Sequence, residues 1–269
     1  MWRVSKGDDI EERAHFVKDW IVEHEIATIL GELGISPRVL QSYSEGSWLT
    51  ETRNRVAMKF LRYTGDLEDI MWEHNLDASQ GEVLAKLLIK RFTQLGSLHI
   101  VHGDIHYGNM LILLKDQKIK DVKLIDFDPK YLILANMYKD NQTCCEFATI
   151  LNVFLLWLFL DDRLALFKCT KSRREYTTVP PWLEPCVKYI TKYLKQKQFD
   201  LGNAFQNLPR YAESAYTRWL DRVLTLPGID YASLFPNLFP LNHTIPKITN
   251  KCTESDTRNR LATLLLDIR

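Results

Sequence analysis

His102-Gly103-Asp104-Ile105-His106-Tyr107-Gly108-Asn109, followed by Leu124-Ile125-Asp126-Phe127-Asp128, is the stretch on which the reading of this chain turns. Phosphoryl transfer from ATP needs a carboxylate that orients or deprotonates an acceptor hydroxyl. It also needs oxygen ligands for the Mg²⁺ ions that neutralise the phosphates. Asp104 has the chemistry for the first task, Asn109 and Asp126 for the second, and they come in that order. A His-Gly-Asp turn alone is common, and Ile-Asp-Phe-Asp alone reads as any buried strand ending in an acidic loop. Context constrains the pair. Glu82 to Leu98 reads as a helix, with Leu84, Leu87, Leu88, Phe92 and Leu95 on one face. Asn109 leads into the apolar run Met110 to Leu114, Lys115 to Lys120 is a polar turn, and Val122, Leu124 and Ile125 form a second short strand ending at Asp126.

Helix, loop, hairpin and acidic residue in this order resemble the protein-kinase-like superfamily. The variant, with a His-Gly-Asp loop and Asp-Phe-Asp, is that of aminoglycoside and choline kinases. Related forms occur in small atypical protein kinases such as the RIO and Bud-type enzymes. The resemblance implies an α+β, two-lobed fold, with a reduced amino-terminal lobe over residues 1–62 and a mainly helical catalytic lobe over 63–269. It implies ATP and Mg as cofactors, Asp104 as the catalytic carboxylate, and Asn109 and Asp126 as metal ligands. His106 stands where typical protein kinases place a Lys that contacts the γ-phosphate, and small-molecule kinases often carry His there. His102 is expected to orient the loop through a backbone contact. Asp128 replaces the usual Gly, as either an extra carboxylate near the metals or a solvated loop residue.

The family also uses a strand Lys that contacts the α and β phosphates, held by a Glu on the following helix. Asp9 to Leu33 reads as that helix, with Asp8 or Asp9 as its N-cap, Gly34 at its end and Pro37 beyond. The resemblance assigns the Glu to Glu25 and the Lys to Lys6. Val56-Ala57-Met58-Lys59 looks more like the familiar strand motif, yet too few residues separate Lys59 from Asp104 to fit the intervening elements. Val56 to Leu61 is read instead as the last small-lobe strand, whose backbone, around Met58 and Phe60, faces the adenine. If Lys6 is the strand lysine, nothing before it supplies the two strands and Gly-rich loop that normally cover the phosphates. The expectation is a reduced lobe, an absent upstream segment, or a partner that completes the lobe.

The remaining features bound the reading. A net charge of +1 gives no global attraction to nucleic acid or anionic membranes, so neither is expected as a partner. Five cysteines without Cys-x-x-Cys spacing read as reduced thiols, and the polar amino terminus as no signal peptide, so a cytoplasmic location is expected. The apolar run Ala148 to Leu160 is too short to span a bilayer and reads as a buried core helix. Glu146 sits where an acidic residue often anchors the catalytic loop. Few residues separate Asp126 from Glu146, short for a regulated activation loop, although Tyr131, Tyr138 and Thr143 fall within it. Pro181 to Lys195 and Arg210 to Leu226 read as helices, and Leu234 to Pro240 as an aromatic strip packed back on the core. Lys168, Lys171, Arg173 and Arg174 read as a solvated basic loop.

Three functions follow. The first is an atypical, minimal Ser/Thr protein kinase, with a protein substrate favoured over a small molecule. The second is a small-molecule kinase, towards which His106 and Asp128 pull and for which Asp161, Asp162 and Glu175 are acidic-pocket contributors. The third is a pseudokinase-like binding module, for which the missing Gly-rich loop speaks and against which the Asp104, Asn109 and Asp126 set stands.

Overall fold

The computed structural model describes residues 2–4, 10–45, 55–60, 63–129, 131–135, 141–160, 180–202, 229–240 and 255–266. For 2–4, 10–20, 41–45, 55–60, 141, 255, 265 and 266 it describes the backbone alone. The fold is α+β, with three small antiparallel sheets among the described residues.

Strand β1 (Trp2–Val4) is followed by helix α1 (Ile10–Glu32), β2 (Val39–Glu45) and β3 (Arg55–Phe60). The sheet order β1-β3-β2 puts β3 in the middle, with Trp2 opposite Ala57 and Ser42 opposite Met58. Helix α1 therefore carries the chain from one outer strand to the other. It stops where Gly34 adopts φ +72°, a left-handed conformation that lacks the Cβ penalty only in glycine. Its buried positions, Val22, Glu23, Ile26, Ala27, Ile29 and Leu30, recur with the helical period and form one inward stripe. A carboxylate, Glu23, lies within that stripe.

After β3 the chain passes Tyr63 and Thr64 into β4 (Gly65–Asp66) and α2 (Leu67–Glu73). Asp66 caps α2, its carboxylate accepting from the Asp69 amide at 2.9 Å. Helix α3 (Ser79–Gly96) buries Leu84, Leu88, Phe92 and Leu95, the face expected from the sequence, and begins three residues earlier than expected. It leads through β5 (Ile100–Val101) to the motif loop, then to the hairpin β6 (Met110–Lys115) and β7 (Lys118–Leu124). The hairpin turn is tighter than the six-residue turn read from the sequence. Asp116 and Gln117 alone make it, at φ +53° and +56°, as a two-residue turn matched to strand twist requires. Without glycine there, the sequence signal for so short a turn is weak.

Strand β8 (Ile133–Leu134) pairs back with β5, Ile100 opposite Leu134 and Val101 opposite Ile133. Helix α4 (Asn141–Leu160) follows, and its 20 residues exceed the apolar run that predicts it. The window Gln142–Leu160 is long and apolar enough to cross a membrane, yet 89% of it is buried inside the fold. Helices α3 and α5 (Glu184–Lys195) pack on α4. Phe154 and Trp157 of α4 meet Phe235 edge-on, and Phe154 meets Tyr231 of the short helix α6 (Tyr231–Leu234). The aromatic strip after α6 thus belongs to the core. Helix α7 (Ser255–Leu266) packs on α1.

Cys144 and Cys186 are free and buried, but Cys145 is disulfide-bonded, so the reading of five reduced thiols fails for that residue. Its partner lies outside the described residues, as do Lys6, Tyr138, Asp161, Asp162, Lys168, Lys171, Arg173, Arg174, Glu175 and the segment 210–226.

Candidate active site

The motif loop is held by its own neighbours in sequence and by α4. Asn152 is fully buried; its side-chain oxygen accepts from the His102 amide at 2.9 Å, and its nitrogen donates to the Ile100 carbonyl at 2.9 Å. One amide side chain thereby satisfies two backbone groups that burial would otherwise leave unpaired. The sequence pointed to Glu146 for this duty. Glu146 is nearly buried, lies 4.0 Å from the Lys197 ammonium, and burial raises its carboxyl above the ordinary range against the opposing pull of Lys197. Asn152 lies within the apolar run Ala148 to Leu160, and a lone amide in such a run is the sequence signal for this duty.

Gly103 takes φ +73°, and a Cβ there would run into the Tyr131 carbonyl, so both dihedral and space demand glycine. That close approach ties the loop to the segment after Asp128. His102 is fully enclosed and packs on Phe127 with ring centroids 4.8 Å apart. Its Nε2 donates to the Ile125 carbonyl at 2.9 Å, while its buried Nδ1 has no hydrogen-bond partner. Burial pushes the imidazole below its ordinary pKa, a shift only partly opposed by the Ile125 carbonyl and by Asp104 and Asp126. His102 is thus a neutral strut between the two halves of the motif, as the sequence expects.

Asp104 is partly exposed, and its backbone carbonyl accepts from the Asn109 side-chain nitrogen at 2.9 Å. With that donor end engaged, the Asn109 amide oxygen is left as an acceptor. Asn109 is also bonded to the second motif, its carbonyl accepting from the Ile125 amide at 3.1 Å. Asp126 follows directly, at φ +63°. A left-handed non-glycine costs on the order of 1–3 kcal/mol and persists only where its surroundings impose it. Here the backbone bends at the residue nominated as a metal ligand. Asp128 is 4% exposed, so it is not a solvated loop residue.

His106 sits beside Asp104, with Nε2 3.7 Å from Asp104 Oδ2. Its Nδ1 accepts from the Gly108 amide at 3.1 Å, which fixes the neutral ring with its proton on Nε2. The ring therefore turns a donor towards Asp104 and the space in front of it. Across the loop, Asp66 is half-buried, and burial raises its carboxyl against the bond from Asp69.

Strand β3, carrying Met58 and Phe60, leads into residues that pair directly with the hairpin behind Asn109. The Thr64 amide donates to the Ile112 carbonyl at 2.9 Å, its hydroxyl accepts from the Leu114 amide at 2.8 Å, and Gly65 lies opposite Ile112. The chain segment expected to face adenine thus runs into the strand that starts at Met110. Among the described residues, no group of three His, Cys, Asp or Glu side chains is gathered as a metal site. The pair Asn109 and Asp126 fits Mg²⁺ nonetheless, since that ion takes one or two protein oxygens and completes its octahedron with phosphates and water.

Helix α1 carries two carboxylates close together, Glu23 and Glu25. Glu25 lies on the outer face, its side chain 40% exposed, and pairs with Arg260 of α7 at 3.0 Å. Glu23, two residues earlier and so on the other side of the helix, is 1% exposed and inward. The helical period could have distinguished them: Ile26, Ala27 and Leu30 stand three, four and seven residues after Glu23, whereas Thr28 and Glu32 stand three and seven after Glu25.

The carboxy end of α1 is pinned to the hairpin. The Ile35 carbonyl accepts from the Leu124 amide at 3.0 Å, the Gly34 carbonyl from Lys123 Nζ at 2.5 Å, and the Leu33 carbonyl from Gln94 at 3.4 Å. Beneath them Arg91 donates to the Val122 carbonyl at 2.9 Å and to Asp121 Oδ1 at 2.6 Å. Burial works to raise the Asp121 carboxyl, but the Arg91 hydrogen bond and the Lys123 and Arg91 charges leave it below the ordinary range. Burial, with Asp121 beside it, pushes the Tyr63 hydroxyl up to about 12. No protein-family model matches the chain, and no curated protein matches it significantly.

Proposed function

We propose that this chain is an ATP- and Mg-dependent phosphotransferase of protein-kinase-like, two-lobed fold, acting on a hydroxyl of a protein substrate. The observation that carries the reading is the direct bond between the two motifs. The Ile125 amide donates to the Asn109 carbonyl at 3.1 Å, so the residue before Asp126 is tied to Asn109, which in turn bonds Asp104. Three groups of the expected chemistry thus share one rigid unit. The element order gives further support: a strand, a long helix, two strands, a linking segment, a helix, the motif loop and a hairpin follow as the resemblance requires.

In this reading Asp104 orients the acceptor hydroxyl or takes its proton, and Asn109 and Asp126 hold the cation. Bound Mg²⁺ supplies the positive charge that neutralises the phosphates. His106, protonated on Nε2, donates to the transferring group, with less charge than a lysine would bring. Lys6 would grip the phosphates, held by a carboxylate of α1, the role the resemblance gives to Glu25. Backbone groups near Met58 and Phe60 meet the adenine. Asp128, 4% exposed and standing where the usual motif has Gly, favours a second reading, a small-molecule kinase, since that branch usually carries a carboxylate at this position.

The test is transfer of labelled γ-phosphate from ATP with Mg²⁺, to the protein itself and to generic protein acceptors, comparing wild type with Asp104→Asn. Transfer by wild type that falls about 100-fold or more in the variant is expected. Equal transfer by both proteins removes Asp104 from the chemistry. Transfer confined to amino-alcohol or amino-sugar acceptors favours the second reading. Nucleotide binding that needs Mg²⁺ and survives Asp126→Ala would mean the metal site is elsewhere.

A further inference from the structure

We infer that a groove along helix α5 docks helix α2 of a second copy of this chain, an inference that stands apart from the phosphotransferase reading. The groove has a volume of about 370 Å³ and is lined by Val187, Lys188, Thr191, Lys192, Lys195 and Gln196. Pockets of roughly 300–1,000 Å³ hold a small ligand, so there is room for one large side chain. By the helical period Lys188, Lys192 and Lys195 form one row, with Val187 and Thr191 beside it. The Thr191 hydroxyl donates to the Val187 carbonyl at 2.8 Å and accepts from the Trp157 indole at 3.0 Å, so it is already engaged within the fold. Lys188 is paired with Glu184, but no acidic side chain among the described residues pairs with Lys192 or Lys195. Cations in a row beside an apolar strip suit an apolar anchor flanked by carboxylates.

Helix α2 presents that arrangement. Leu67, Ile70 and Met71 are buried, which puts Glu68, Asp69, Trp72 and Glu73 on the opposite face. Trp72 is 47% exposed, and no cation among the described residues pairs with the three carboxylates. Tryptophan is over-represented among the residues that anchor protein interfaces. Within one copy α2 packs on β6 and on the turn Tyr107–Asn109, its acidic face outward, so the groove of α5 is met by α2 of another copy. A net charge of +1 gives copies little overall repulsion, and local fields of opposite sign then decide how they meet. Docking brings α5 of one copy to the flank of the motif loop of the next. Because the two faces differ, the contact closes a dimer when made twice about a two-fold axis, and leaves growing ends when made once.

The test is sedimentation of the full chain, from about 1 to 200 μM and at about 0.05 and 0.5 M salt. A contact between two helix faces is small, so the expected association is weak, with Kd on the order of 10–100 μM. It should weaken about tenfold at the higher salt, where exposed charges are screened. Trp72→Ala should raise Kd about tenfold or more. Two double variants reverse one face each: Glu68→Lys with Glu73→Lys on α2, and Lys192→Glu with Lys195→Glu on α5. Each alone should remain a single chain over the whole range, because like charges then meet. Mixed in equal amounts, the two variants should associate again with Kd within about threefold of wild type, since a basic α2 then faces an acidic α5. A variant that had merely misfolded could not give that recovery.

Wild type that stays a single chain at about 200 μM in low salt overturns the inference. So does association that both reversals leave intact, which assigns it to another face, and so does failure of the mixture to recover. A glutamate-rich peptide that binds wild type through Lys192 and Lys195, while the protein stays single, also overturns it by giving the groove a foreign acidic partner. None of these outcomes depends on phosphate transfer.

Discussion

Between Ile100 and Leu134 the chain largely holds itself. Asn109 bonds Asp104, Ile125 bonds Asn109, His102 bonds Ile125, and β5 pairs with β8, with α4 contributing Asn152 from below. Helix α1 is held otherwise, by β7 at one end and by α7 on its outer face, the Glu25–Arg260 pair joining residues from nearly opposite ends of the sequence. The motif loop is a unit of short connections in which the His102 Nδ1 alone, among its buried side-chain polar atoms described, lacks a hydrogen-bond partner. The helix is held by contacts remote in sequence, one of them open to solvent. Local connections make one region and long-range contacts the other, so the two should respond differently to the loss of a single side chain.

The difference can be broken from either side. Asn152→Ala should have the largest effect, leaving the His102 amide and the Ile100 carbonyl buried without partners. A loss of about 2–5 kcal/mol in urea denaturation is expected, together with loss of phosphate transfer. A loss below about 1 kcal/mol would show that the loop does not depend on α4. On the helix side, Arg91→Ala removes the support beneath the carboxy end of α1. About 2 kcal/mol is expected, discounted because Asp121 is partly exposed, with faster hydrogen exchange at residues 33–36 as the specific sign. Equal exchange there would detach Arg91 from that junction.

The smallest effect concerns His102 and acid. Its folded pKa lies below the ordinary 6.5, so as pH falls the unfolded chain takes up the proton first. The contribution to stability is full above about 6.5 and is lost as pH falls from there towards the folded value. His102→Gln keeps a donor for the Ile125 carbonyl and removes the titration. The variant's midpoint temperature should change less between pH 7 and pH 5 than that of wild type. An identical pH dependence in both proteins would assign the acid sensitivity to other groups.

What the sequence made legible follows the same division. Asp104, His106, Asn109 and Asp126 lie in one short window, and local connections suffice to gather Asp104, His106 and Asn109 and to tie the segment carrying Asp126 to them. The helices around them were legible because Leu84, Leu88, Phe92 and Leu95 mark one face of α3. The partner of Glu25 was not. The apolar period of α1 marks Glu23 as inward, but Arg260, which meets Glu25, comes from far along the chain, and no local pattern carries that contact. Asn152 was missed for a related reason. A polar residue in an apolar run reads as an interruption until the backbone groups it serves, fifty residues away, are in view.

Helix α4 carries a consequence for how the chain is made. Its Gln142–Leu160 window is apolar enough to cross a membrane, and it is buried by elements on both sides in sequence. Helix α3 is already synthesised when α4 leaves the ribosome, and can cover one side at once. Tyr231 and Phe235, which meet Phe154 and Trp157, arrive about 70 residues later, roughly 4–14 s at ordinary elongation rates. For that interval the nascent chain displays a segment that membrane-insertion machinery and chaperones would both read as their own. The yield of this protein in cells should therefore be set as much by what meets α4 during translation as by the stability of the finished fold.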